Sequence, residues 1–154
     1  MASEPPPFRV RPARRGDAEA ISGLLKELGY PNAPDLSTVN WVVSHPEMEV
    51  LVAADSHDRA VGMLSFSHRP QLRMNGRIAT IDELVVAPAW RRRGLGRALI
   101  ARALERARSL SCKRMELVTH RARGEYVRTF YSACGFDEAS STVLRHRELD
   151  FQKA

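Results

Sequence analysis

The 154-residue chain is poor in several features that would assign it to particular classes of protein. It has two cysteines, Cys112 and Cys134, and neither belongs to a CxxC pair or a cysteine–histidine cluster, which argues against a metal site. No apolar run approaches the roughly 18–20 residues of a membrane span. The first ten residues, MASEPPPFRV, lack the apolar core of a secretory signal. We therefore expect reduced thiols and a cytoplasmic protein that does not bind membranes.

Aromatic residues are also scarce, at 6% of the chain, although the net charge is +6. The segment 91–128 alone carries a balance of +9, so the rest of the chain sums to −3. Such a segment indicates an anionic partner or a solvated arginine-rich helix face. Single-stranded nucleic-acid sites usually combine basic and aromatic residues, and no aromatic residue lies between Arg91 and Arg123. We therefore expect no nucleic-acid partner.

The chain length and the absence of linkers or repeats predict one domain over 8–154, preceded by a disordered tail over 1–7. Hydrophobic periodicity and turn residues predict the element order βααβββαβαβ. The predicted strands are 8–13, 48–55, 60–69, 78–88, 114–120 and 141–151, and the predicted helices are 14–30, 34–46, 94–110 and 125–134. The turn dipeptide Asn75-Gly76 separates two of the strands.

The stretch VVAPAWRRRGLGRALIARAL, from Val85 to Leu104, places three arginines and two glycines at the start of a helix. A helix N-terminus presents free N–H groups and the positive end of a dipole, and glycine lets an anion approach the backbone closely. Neither the GxxxxGK[ST] pattern nor GxGxxG is met. The stretch instead fits [QR]-x-x-G-x-[GA] from Arg91 to Gly96, and it predicts a phosphate or pyrophosphate site.

With this loop and the later TFYSACGF, the chain resembles the GNAT superfamily of N-acetyltransferases over roughly residues 8–150. The resemblance implies an α/β fold, with a central mixed, mostly antiparallel sheet of six to seven strands, a parallel pair at the acetyl-CoA site and about four flanking helices. It implies that backbone amides of 91–97 bind the pyrophosphate and that the strand edge 84–86 pairs with the pantetheine arm. The implied coenzyme-binding residues are Leu84, Val85, Val86, Arg91, Arg92, Arg93, Gly94, Leu95, Gly96 and Arg97.

Acetyl transfer to an amine requires a neutral amine, and at pH 7 only about one lysine-like amine in 2,500 is neutral. We expect Glu83 to act as the base, because family members often carry a catalytic carboxylate at this place on the strand. Asp82 or a water-mediated route is the alternative. Adjacent strand residues face opposite sides, so only one of the two carboxylates should face the cleft. The resemblance places Tyr131 as the acid that protonates the leaving thiolate. Backbone N–H groups near Val86 can polarise the thioester carbonyl.

Candidate acceptor contacts are Tyr30, Trp41 and His120. The resemblance suggests Tyr30 and Trp41, because they flank the break between the first two helices, where family members often form the acceptor pocket. His120 ends the predicted strand 114–120, which follows the helix 94–110. The chain departs from the family pattern at Gly124, where many members carry an asparagine that contacts coenzyme A. Here Arg123, Glu125 or Arg128 would supply that polar contact instead.

The resulting prediction is an acetyl-CoA-dependent N-acetyltransferase (acyltransferase, EC 2.3.1.-) that transfers acetyl directly to a primary amine in a ternary complex. The acceptor could be a small amine, an aminoglycoside-like compound or a protein amine. The alternative is a catalytically silent acetyl-CoA sensor or interaction domain. A homodimer is expected by analogy with the family.

Overall fold

The computed structural model describes residues 7–29, 32–120 and 124–151. They fall into two compact units, 1–123 and 124–154. The strands are β1 (Arg9–Pro12), β2 (Met48–Ala54), β3 (Ala60–Gln71), β4 (Gly76–Val86) and β5 (Cys112–Leu117). The α-helices are α1 (Ala18–Leu25), α2 (Leu36–Val43), α3 (Leu95–Ser109) and α4 (Glu125–Ala133). The single-domain boundary and the tail stay predictions.

The first unit contains a mixed sheet with the strand order β1-β2-β3-β4-β5. The first four strands are antiparallel, and β4 and β5 are parallel because α3 crosses over between them. Asn75 ends the β3–β4 connection with a φ of +48°, as the turn dipeptide predicted. The predicted fold class is confirmed, with five strands in the described part of the chain rather than six or seven.

The strand predicted over 141–151 is wrong, because residues 141–146 have no regular structure and a turn follows them. The apolar side chains Val143 and Leu144 are adjacent in sequence, so they cannot share one face of a strand. Both are exposed, and so is Leu149 at 85%. Without a buried face, the segment lacks the packing that stabilises a strand.

Helices cover the two faces of the sheet in the first unit. Ile21 and Leu24 of α1 and Val39 of α2 pack against a cluster that includes Met63 and Val85 of the sheet. On the opposite face, the position of a Cβ on Gly62 would lie 3.5 Å from Leu99 of α3. The apolar residues of α3 that are buried are Leu95, Leu99, Ile100, Ala103 and Ala107.

A buried ion pair joins β1 to the start of α1. Arg11 donates from both terminal nitrogens to the two carboxylate oxygens of Asp17, at 2.7 and 2.9 Å. Its Nε donates to Asp58 in the β2–β3 turn at 2.9 Å, where Asp58 has a φ of +62°. One guanidinium thus ties β1 to the nearby start of α1 and to the β2–β3 turn, 47 residues further along the chain. Among the described residues, none of the helices is long and apolar enough to cross a bilayer.

Candidate active site

An irregularity in β4 determines where the two predicted carboxylates lie. Ser65 of β3 pairs with Glu83, but the next residue, Phe66, pairs with Ile81, which leaves Asp82 as an extra residue on β4. This is the arrangement of a β-bulge, which interrupts the regular alternation of side chains. The expectation that Asp82 and Glu83 must face opposite sides therefore fails, since it assumed a regular strand.

Glu83 lies on the sheet face that α1 and α2 cover. Its partner Ser65 is two residues from Met63, and Val85 is two residues from Glu83; Met63 and Val85 both belong to the cluster under those helices. The Ser65 hydroxyl donates a hydrogen bond to Oε2 of Glu83. Burial raises the pKa of Glu83 to about 7, and the charge of Asp82 contributes to the increase. A carboxyl group that titrates near neutrality is suited to accept and release protons at physiological pH.

Asp82 is exposed, but like Glu83 it has a serine of β3 as a hydrogen-bond partner. Desolvation raises its pKa, while hydrogen bonding from the hydroxyl and amide of Ser67 opposes the increase. Ser65 and Ser67 are two residues apart on β3 and share one face of that strand. The two adjacent carboxylates of β4 thus interact with two serines of one strand face.

Beyond the bulge, β4 has an open edge. The amide of Ala87 donates to the carbonyl of Val61 at 2.8 Å, so the backbone groups of Val86 and Leu84 point away from β3. On that side, β5 pairs with β4 only as far as Ile81. Among the described residues, no strand pairs there with the part of β4 that follows. The edge predicted at Leu84–Val86 is therefore not paired with any described strand there, although the side chain of Arg91 donates a hydrogen bond to the carbonyl of Val86.

The loop after β4, predicted to bind a phosphate group, contains two residues with unusual backbone conformations. Arg92 and Gly94 both have left-handed conformations, with φ of +62° and +87°. The first bond of α3 runs from the amide of Ala98 to the carbonyl of Gly94, so earlier amides at the helix start have no intrahelical acceptor. A Cβ on Gly94 would meet no atom within 4 Å and would project into open space.

The predicted arginines of this loop have different surroundings. Arg91 donates from Nε to the carbonyl of Val86 at 3.1 Å, and its terminal nitrogen lies 3.7 Å from Glu27. Arg93 stacks over the ring of Trp90 at 5.4 Å. Arg92 and Arg97 are exposed, and no ion pair found within the described ranges uses them. Arg91 therefore braces the loop against β4, while Arg92 and Arg97 present charge to solvent.

The candidate acceptor contacts are not gathered into one cluster by the described structure. Trp41 lies on α2 with 67% of its surface exposed, and its ring meets that of His45 edge-on at 6.1 Å. His120 follows the end of β5 and is exposed. Tyr30 lies outside the described residues, so its predicted role is untested.

Within the described chain, no group of histidine, cysteine and carboxylate side chains could hold a metal ion.

Tyr131 belongs to the second unit, on α4. Its ring packs edge-on against Phe130 at 5.2 Å and against Phe136 at 5.9 Å. Gly135 follows the end of α4 with a φ of +94°, a left-handed conformation that is common just past a helix. Gly124 begins α4 with a φ of +86°, a conformation that favours glycine over the asparagine of many family members. Arg123 lies outside the described residues, whereas Glu125 and Arg128 are exposed.

Sequence reasoning missed Ser65 and Trp90. Ser65 is buried, with 2% of its surface exposed, within a strand whose neighbouring residues are apolar. That polar residue in the run AVGMLSFSHR was the available signal, because a buried hydroxyl requires a hydrogen-bond partner. Trp90 shows no such signal, since its stacking under Arg93 depends on the shape of the loop.

The sequence matches a known protein family and one of its curated members. The model of the acetyltransferase (GNAT) family matches residues 19–136. Glucosamine 6-phosphate N-acetyltransferase 1 of Oryza sativa subsp. japonica is 30% identical over 142 residues, a match that covers 85% of this chain and 82% of that protein.

Two solved structures have the same fold. An acetyltransferase of Trypanosoma brucei superposes with a TM-score of 0.77 at 24% identity, over 91% of this chain and 99% of that one. The aminoglycoside N-acetyltransferase AAC(6')-Iy, solved with CoA, superposes with a TM-score of 0.80 at 21% identity, over 96% and 99% of the two chains. The family model includes β4, the glycine-rich loop, α3 and α4. This chain therefore belongs to the acetyltransferase (GNAT) family and is an N-acetyltransferase.

Proposed function

We propose that the chain transfers the acetyl group of acetyl-CoA directly to a primary amine within a ternary complex. The observation that carries the proposal is the arrangement along one strand of a base, an open edge and an anion-binding loop. Glu83 has a pKa of about 7, the backbone of Leu84 and Val86 is open on the β5 side, and the left-handed Gly94 follows. A thioester with a long polar arm and a diphosphate matches these features in that order.

The coenzyme's diphosphate would be held by backbone amides of 91–97, and its pantetheine arm by the edge 84–86. Two observations support this fit. The space in front of Gly94 is open, and the N–H groups at the start of α3 carry the positive end of the helix dipole. Arg92 and Arg97 would add charge-assisted hydrogen bonds to phosphate oxygens. Val85 is buried in the core, so its role would be to position the edge rather than to touch the coenzyme.

Glu83 would accept the proton of the incoming ammonium, directly or through a water molecule. Its pKa near 7 makes a substantial fraction ionised at neutral pH, and its proton affinity is far higher than that of an ordinary glutamate. The N–H of Val86 would donate to the thioester carbonyl as negative charge develops on it. Tyr131, as the acid of the reaction, would donate a proton to the departing sulfur.

The names of two similar proteins support a ranking of the acceptor classes. The rice relative is named for glucosamine 6-phosphate, and the structural neighbour AAC(6')-Iy for aminoglycosides. Both acceptors are amino sugars, so we place amines on sugar rings first among the candidates. The exposed ring of Trp41 offers an apolar face of the kind on which a sugar ring can stack.

The experiment is a thiol-release assay with acetyl-CoA and a panel of amines: glucosamine, glucosamine 6-phosphate, an aminoglycoside and a lysine-containing peptide. We expect at least one amine to increase thiol release, with mass spectrometry showing one added acetyl group on that amine. Glu83→Gln serves as the matched control and should lose the amine-dependent rate. Acetyl-CoA binding without amine-dependent thiol release would instead indicate the sensor and overturn the proposal.

A further inference from the structure

Ser65 is a buried hydroxyl in contact with the proposed base. It lies at the centre of β3 with 2% of its surface exposed, between Leu64 and Phe66, which are fully buried. Its hydroxyl donates to Oε2 of Glu83, the residue with which it pairs across the sheet. In apolar surroundings a hydroxyl group without a hydrogen-bond partner is costly, which favours the bond from Ser65 to that carboxylate oxygen.

We propose that Ser65 is a positioning residue for acetyl transfer: its hydrogen bond to Oε2 fixes the Glu83 carboxyl group so that Oε1 takes the acceptor's proton. The inference rests on the proposed function, in which Glu83 is the base. The proton passes from the ammonium nitrogen to Oε1. The freed amine then forms the N–C bond as the C–S bond breaks, and the leaving sulfur receives a proton from the acid. The positively charged nitrogen of the new bond releases its second proton to the conjugate base of that acid, which leaves the neutral amide and the thiol.

The bulge explains why a positioning contact matters here. The extra residue Asp82 interrupts the regular pairing of β4, and the regular pairing is what normally holds side chains at fixed angles to a sheet. Glu83 has rotatable bonds between its backbone and its carboxyl group, so a bond to a rigid neighbouring strand restricts its orientation. Ser65 provides that restraint from within the buried part of β3.

The contact also affects proton affinity. A hydrogen bond donated to a carboxylate stabilises its ionised form and lowers its pKa, in opposition to burial and to the charge of Asp82. Loss of the Ser65 hydroxyl should therefore raise the pKa of Glu83, by about one unit. At pH 7, a rise from about 7 by one unit would lower the ionised fraction about fivefold.

Ser67 provides a matched control, because it lies on the same face of β3 but interacts with Asp82. Ser67→Ala should raise the pKa of Asp82 and leave the hydrogen bond between Ser65 and Glu83 in place. The pKa of Glu83 should then change little. The two serine-to-alanine changes thus differ in their expected effect on one measurable group.

The test measures the Glu83 pKa in the full-length protein by ¹³C NMR titration of its carboxyl carbon, assigned with Glu83→Gln. Wild type, Ser65→Ala, Ser65→Thr and Ser67→Ala are compared, and the pH profile of kcat/KM for the amine is recorded for each. We expect Ser65→Ala to raise the Glu83 pKa and to lower kcat/KM at pH 7 about tenfold, with KM for acetyl-CoA unchanged. Ser65→Thr, which retains the hydroxyl, should restore most of both values.

A loss of kcat that persists in Ser65→Ala at high pH, where Glu83 is ionised in every variant, is the expected result of lost positioning. An unchanged Glu83 pKa in Ser65→Ala, or a rate loss that Ser65→Thr does not restore, would overturn the inference. The proposed function fails differently: Glu83→Gln would then keep full amine-dependent activity. The NMR titration does not depend on turnover, so the two failures are distinguishable.

Discussion

At the residue scale, Glu83 combines chemical use with a stability cost. Burial and the charge of Asp82 raise its pKa in the folded chain to about 7, whereas a glutamate in the unfolded chain titrates near its ordinary value of 4.5. Between these values the folded state binds more protons than the unfolded state. The free energy of unfolding therefore falls as the pH rises from about 4.5 to about 7.

Glu83→Gln should accordingly stabilise the protein at pH 8 while abolishing its proton-accepting role. Because glutamine is neutral at every pH, it avoids a cost of about 1–3 kcal/mol that ionised Glu83 imposes at pH 8. At pH 5 most of that difference should disappear. Urea unfolding of both proteins at the two pH values measures it, and an equal difference at pH 5 and pH 8 would contradict the elevated pKa.

Tyr131→Phe tests the proposed acid. The substitution keeps the ring that packs against Phe130 and Phe136, so the fold should change little. We expect kcat to fall by about tenfold or more, with the Kd of CoA within about twofold of wild type. Steady-state kinetics and calorimetry measure the two quantities, and an unchanged kcat would remove Tyr131 from the acid role.

The sequence identified the carboxylates but not how they are arranged. Spacing alone indicated that Glu83 and Asp82 lie on a strand, and the regular alternation of a strand was a reasonable assumption. The bulge arises from the pairing of two strands, which no pattern within β4 reveals. For the same reason the contact between Ser65 and Glu83, 18 residues apart, could not be predicted.

At the scale of elements, the loop between β4 and α3 is the part that the sequence predicted best. The sequence predicted a helix over 94–110, and α3 begins directly after Gly94, which has a left-handed conformation that glycine adopts readily. The last predicted strand failed because periodicity does not report whether a second layer exists to bury the segment. Residue types thus predict the local backbone conformation, but they do not predict which segments of the chain pack against each other.

Gly94→Val should weaken acetyl-CoA binding by at least about tenfold. The new side chain would occupy the open space in front of the loop, and a β-branched residue in a left-handed conformation costs about 1–2 kcal/mol. Asn75→Val imposes similar backbone strain, at a φ of +48°, at the opposite end of β4. Calorimetric titration should find near-normal coenzyme affinity for Asn75→Val. Normal affinity in Gly94→Val would refute the assignment of the loop.

At the scale of the molecule, a buried ion pair connects the start of the chain to the sheet and to α1. Desolvation works against the charge of Asp17, but hydrogen bonds from Arg11 and from the amide of Arg14 hold its pKa below the usual range. Only 8% of the surface of Arg11 is exposed. Removal of Asp17 would take one of two carboxylate partners from this buried guanidinium, and few water molecules could replace it.

Asp17→Ala should therefore lower the free energy of unfolding by about 3 kcal/mol, measured by urea titration at pH 7. Arg102→Ala is the control, since its contact with Glu105 spans 4.0 Å on an exposed helix surface. That substitution should change stability by less than about 0.5 kcal/mol. Equal effects of the two substitutions would mean that burial does not make the Arg11–Asp17 pair important.

The order of strands and helices was largely predictable, because each element carries its own periodicity and its own end signals. The identity of the acceptor was not, because the residues that would select it come from separate segments. Among them, Trp41 lies on α2 and His120 lies after β5. The cytoplasmic location, the homodimer and the absence of a nucleic-acid partner stay predictions.

The central claim is that the backbone between Arg91 and Arg97 binds the diphosphate of acetyl-CoA and so aligns the thioester with Glu83. A crystal structure of the protein grown with acetyl-CoA tests it most directly. We predict phosphate oxygens within hydrogen-bond distance of the amides around Gly94, with the pantetheine arm paired to Leu84 and Val86. A bound nucleotide at another place, with this loop empty, would contradict the account.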